Sequence, residues 1–63
     1  MKIKDLRIKQ KLTQDELAKK SGVPQATISG IESGRVSTPA VKTILNLASA
    51  LKVDPQELIK EFV

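Results

Sequence analysis

The 63-residue chain contains no cysteine and no histidine. Without cysteine it has neither disulfides nor thiolate metal sites, a composition that fits a reducing cytoplasm. Without histidine it lacks the commonest general base and the commonest metal ligand. Its seven acids are spread over separate helix faces, with no glycine-rich phosphate loop to support them. An enzyme is therefore not expected, nor a metal or other cofactor. Phe62 is the single aromatic residue, which disfavours single-strand binding by stacked bases, a mode that needs several aromatic platforms. No apolar run approaches the roughly 18 residues that span a bilayer, and no signal-peptide pattern opens the chain. A soluble, cytoplasmic protein without a membrane partner is expected. No period-two alternation is long enough for a strand, and no hairpin signal appears.

The length suffices for one domain, residues 1–63, without an effector-sensing domain of its own. A chain this short buries only about 60% of its unfolded surface, so the core is small. The formal net charge is +4. Lys2, Lys4, Arg7, Lys9 and Lys11 crowd the first eleven residues against one acid, Asp5. That balance suits a polyanionic partner, but a solvated helix face explains it equally well.

The recurring pattern is the start of a helix. Thr13 followed by Glu16 is a capping box, and Leu12 and Leu17 flank it at the spacing of a hydrophobic staple. Asp54, Pro55 and Glu57 repeat the device between Val53 and Leu58. Val23 and Ile28 bracket Pro24 at the same spacing, and Val36 and Val41 bracket Ser37. Ile3 and Leu6 suggest one more helix before Leu12. The reading is all-α, with helices near 2–10, 14–21, 25–33, 39–51 and 55–61. Gly22 and Gly34 end the second and third helices, because glycine takes a left-handed backbone without a Cβ penalty. The expected core is Leu6, Leu12, Leu17, Ala18, Val23, Ile28 and Ile31, then Val41, Ile44, Leu47, Ala48, Leu51, Val53 and Leu58.

Two short helices joined by a three- or four-residue turn containing glycine have the spacing of a DNA-binding helix-turn-helix, here Thr13 to Ser33. Other αα-corners share that geometry. The string Leu12-Thr13-Gln14-Asp15-Glu16-Leu17-Ala18, then Ser21-Gly22-Val23, Thr27-Ile28-Ser29 and Ile31-Glu32-Ser33-Gly34-Arg35, resembles the lambda-repressor-like family of Cro/repressor or xenobiotic-response-element type. The resemblance reaches back to Leu6-Arg7 and forward through Pro39 and Leu47-Ala48 to Leu51 and Leu58, covering nearly the whole chain.

The resemblance implies a compact five-helix domain whose third helix lies in the major groove of double-stranded DNA, where each base pair shows a distinct donor and acceptor pattern. It implies base-reading positions at Pro24, Gln25, Ala26, Ser29 and Gly30 on the exposed side of that helix. Gln25 stands out, since its amide both donates and accepts and suits a bidentate contact to adenine. It implies phosphate contacts from Gln14, Thr27, Arg35, Ser37 and Lys42, which fix orientation without reading sequence. Arg7 and Glu32 match an ion pair that ties the first helix to the end of the third.

The chain also departs from the family pattern. Pro24 stands where relatives usually carry serine or threonine, and it cannot cap a helix with a hydroxyl. Gly30 falls where a longer polar side chain is common, which subtracts a contact and costs about 1 kcal/mol of helix propensity. Lys11 and Lys52 sit where glycine is favoured, so they adopt a left-handed conformation at a cost or the helix ends differently. Ile8 and Leu45 lie off their helix stripes. Leu45, Ile59, Phe62 and Val63 suggest a homodimer contact, and Ile8, Leu45 or Phe62 a surface for a different protein, against the simpler readings of scattered surface apolarity and of Phe62 folding onto the core. The expected function is a sequence-specific regulator, a repressor, bound as a dimer to a palindromic operator. The alternative is a protein-interaction module with a toxin or co-regulator as partner, such as an antitoxin.

Overall fold

The computed structural model describes residues 2–62, with side chains from Ile3 onward. Five α-helices follow one another: α1 (Lys2–Lys9), α2 (Gln14–Ser21), α3 (Gln25–Ser33), α4 (Val41–Leu51) and α5 (Pro55–Ile59), closed by a 3₁₀ turn at Lys60–Phe62. No strand occurs among the described residues.

The capping box forms as expected at α2. The Glu16 amide donates to Thr13 Oγ1 at 3.0 Å, and the Thr13 amide donates to Glu16 Oε1 at 2.8 Å. At α5 the Gln56 amide donates to Asp54 Oδ1 at 2.9 Å, with Pro55 at the first helical position. Pro24 gives α3 no side-chain cap, and its carbonyl accepts from the amides of Thr27 and Ile28 instead. Gly22 and Gly34 end α2 and α3 at φ of 76° and 85°. Lys11 and Lys52 take the left-handed alternative, at φ of 59° and 58°.

One helix starts later than expected. Helix α4 begins at Val41 and not near Pro39, with Ala40 extended at ψ 146° before it. Pro39 disfavours a helical conformation at Thr38, and the chain from Gly34 to Ala40 is a loop. Val41, expected in the core, is accordingly 62% exposed, because it opens the first turn ahead of the buried stripe. That stripe runs along α4 through Ile44, Leu47, Ala48 and Leu51, with Ala50 buried beside it.

The core joins this stripe to Leu17 of α2, Val23, Ile28 and Ile31 around α3, and Leu58 of α5. Ile3 of α1 is also fully buried. Ile3 and Ala50 were not among the expected core residues. Leu6, Leu12, Ala18 and Val53 pack against its edge, half-buried, as do Ile59 and Phe62. Helix α2 packs on both α3 and α4, and α5 packs on α4. Gln10 adds a lock that the sequence did not announce: its amide nitrogen donates to the Leu51 carbonyl at 2.6 Å, tying the end of α1 to the end of α4.

Candidate nucleic-acid interface

Three helices converge on one carboxylate. Arg7 from α1 donates from Nε to Glu32 Oε2 at 2.7 Å and from Nη2 to Glu32 Oε1 at 3.0 Å. Its Nη1 donates to the Leu12 carbonyl at 2.7 Å, just before the capping box of α2. Gln14, the first residue of α2, donates from Nε2 to Glu32 Oε1 at 3.1 Å. The expected Arg7–Glu32 pair is therefore present in a two-pronged form, and side-chain exposures of 11% and 5% mark it as largely buried. Burial pushes the Glu32 carboxyl upward, but the hydrogen bonds from Arg7 and Gln14 and the charges of Arg7 and Lys4 outweigh it, leaving the group below the usual carboxylate range. The Arg7 guanidinium is held above its ordinary value by the hydrogen bond to Glu32 and its charge, against the opposing effect of burial.

Around this network lies an open pocket of about 240 Å³, lined by Lys4, Arg7, Gln14, Ser29, Glu32 and Ser33. It brings Gln14, at the start of α2, beside the Ser29 side of α3. Lys4 and Ser33 were not among the expected site residues. Their signal was present only in spacing, since Lys4 and Arg7 stand three apart on α1, and Ser29 and Ser33 four apart on α3.

Pro24, Gln25 and Ala26 are exposed at the start of α3, and Ser29 and Thr27 are half-buried. Gly30 does not lie on the exposed side of α3 as expected. It is buried, because Arg35 and Val36 fold over the place where its side chain would begin. Arg35, Ser37 and Lys42 are exposed, the first two in the loop after α3 and the third in the first turn of α4. Arg35 reaches α3, whereas Ser37 and Lys42 do not line the pocket.

Of the expected dimer residues, Leu45 is exposed, and Ile59 and Phe62 lean on the core. Val63 lies outside the described residues. No described group of acids could hold a metal ion, and no described helix is long and apolar enough to cross a membrane.

A family model described as helix-turn-helix matches residues 3–58. The uncharacterized HTH-type transcriptional regulator RghRB of Bacillus subtilis (strain 168) is 46% identical over 57 residues, covering 90% of this chain and 41% of that protein. The HTH-type transcriptional repressor RghR of the same organism is 44% identical over 57 residues, covering 90% of this chain and 42% of that protein. The chain thus spans about two-fifths of the length of these curated relatives. No solved structure matches it. With a capped α2, a glycine turn and α3 docked on a shared core, the chain belongs to the Cro/repressor-type helix-turn-helix family. That family consists of DNA-binding transcriptional regulators and is not enzymatic.

Proposed function

We propose that the chain is the operator-binding domain of a cytoplasmic repressor, which sets α3 into the major groove of a short palindromic site as a homodimer. The observation that carries this reading is the flanking of α3. One side borders the pocket of Lys4, Gln14 and Ser29, and the other carries the Arg35 guanidinium. Between them Gln25 and Ala26 stand exposed to meet base edges. Gln25 reads, with Pro24, Ala26 and Ser29 shaping the contact surface. Gln14, Thr27, Arg35, Ser37 and Lys42 hold phosphates. The name of one relative, a transcriptional repressor, supports the sign of regulation. A dimer suits such a site, because successive half-sites lie about 34 Å apart and each domain, 26 Å in its longest Cα extent, offers one α3.

A second reading rests on Ile8, Val41 and Leu45, the large apolar residues left exposed among the described residues. Val41 and Leu45 stand four apart on α4, so they share a face that suits a protein partner such as a toxin or co-regulator.

Selection from a random duplex pool, followed by binding across a salt series, separates the two. A palindromic consensus whose affinity falls steeply with salt is expected. Retention without sequence enrichment, or no retention at low salt, leaves only the interaction module.

A further inference from the structure

Gly30 sits inside α3 with an ordinary helical backbone, so no turn requires a glycine there. The reason is steric. A Cβ at Gly30 would stand 2.8 Å from Val36 Cγ2, 3.2 Å from Arg35 Nη2 and 3.7 Å from Arg35 Nε. After the left-handed turn at Gly34 the chain folds back along the helix. The Val36 amide donates to the Gly30 carbonyl at 2.9 Å. The Ser33 hydroxyl donates to the same carbonyl at 3.1 Å and accepts from the Arg35 amide at 3.4 Å. The guanidinium is thereby laid against the helix, in the place where a side chain at position 30 would start.

Among the described residues the Arg35 guanidinium has no hydrogen-bond or ion-pair partner. Its five donors are left for a ligand. Ala26, one turn earlier in the same row of α3, is also small, so no long side chain of that row screens the cation. At about 100° per residue Gly30 lies to one side of the Gln25 and Ser29 row, so the guanidinium laid over it stands at the flank of α3.

We infer that Gly30 is a positioning residue. Its missing side chain forms a slot that holds Arg35 along the flank of α3, where the guanidinium binds a backbone phosphate of double-stranded DNA. This rests on the reading that α3 lies in the major groove.

Four proteins test it on the selected duplex: the parent, Gly30→Leu, Arg35→Ala and the double variant, with dissociation constants taken across a salt series and folding checked by thermal melting. Gly30→Leu and Arg35→Ala should each weaken binding about tenfold, the scale of one charged hydrogen bond, on every operator variant alike. Each should reduce the slope of log affinity against log salt by about 0.9, one phosphate contact, which a merely structural defect would not change. The double variant should bind no more weakly than Arg35→Ala alone. Losses that multiply, or Gly30→Leu binding with the parent's affinity and slope, would overturn the slot. Should Gly30→Leu fail to fold, the same comparison is made in a Val36→Ala background, where the tightest contact is removed. A parent that selects no duplex defeats the major-groove reading itself, an outcome separate from the other two.

Discussion

Glu32 is the residue on which three helices converge. It accepts from Arg7 twice and from Gln14 once, so one carboxylate fixes α1, the start of α2 and the end of α3 together. Because its folded-state pKa lies below the usual range, its contribution is fully present above the ordinary carboxylate value. That contribution is lost as pH falls through the lower, folded-state value. The urea midpoint should therefore drop as pH is lowered from about 5 toward 3, and Glu32→Gln should flatten that part of the profile. At neutral pH the same substitution leaves Arg7 buried without its counter-charge and should cost about 3 kcal/mol of stability. Gln25 is a different kind of residue, exposed at the start of α3. Gln25→Ala should leave the melting temperature unchanged and weaken operator binding by about 1–3 kcal/mol at one base position only. Equal binding to every operator variant, with the parent's affinity, would remove Gln25 from the reading set.

Among the elements, α2 is the most fully specified by its own sequence. Its capping box closes both ways, its acids Asp15 and Glu16 lie in the first turn, and Lys19 and Lys20 lie in the last. Opposite charges at the two ends complement the helix dipole. Thr13→Ala should remove about 1 kcal/mol, read from chemical denaturation. Helix α4 ends less comfortably, with Lys52 left-handed and its amide donating to the carbonyls of Ala48 and Ser49. The left-handed conformation is unfavourable for a residue with a Cβ and free for glycine, which loses more backbone entropy on folding. Relief should exceed that loss, so Lys52→Gly should raise stability by about 0.5–1 kcal/mol in the same measurement. A lower midpoint would mean that the lysine side chain supports the helix end in some other way.

At the scale of the molecule, the proposed dimer is the feature to test. Each domain, 26 Å in its longest Cα extent, offers one α3, and half-sites about 34 Å apart suit two copies. Sedimentation with the selected duplex should show two chains per operator. The exposed Leu45 is the contact to test, since Ile59 and Phe62 already pack against the core. Leu45→Glu should weaken cooperative binding to the full palindrome while leaving single half-site binding and thermal stability as they were. Equal losses on both DNAs would place the dimer contact elsewhere.

The sequence by itself determined the elements and their order, because caps, staples and glycine stops act over five or six residues. Thr13 with Glu16, Asp54 with Pro55, and Gly22 and Gly34 mark their boundaries without help from the rest of the fold. It also carried the family pattern on which Gln14, Gln25 and the Arg7–Glu32 pair were identified. Tertiary structure decided what depends on residues far apart in the chain. Ile3 became core and Val41 became surface, since burial is set by which turn of a helix meets a neighbour. The late start of α4 came from the extended path through Pro39 and Ala40. Gly30 looked like a lost contact in the pattern, yet chain reversal at Gly34 lays Arg35 over it. A helix-turn-helix was legible from Thr13 to Ser33. That Arg35 comes to rest against α3 was decided only by folding, because that contact depends on where a side chain beyond the motif ends up.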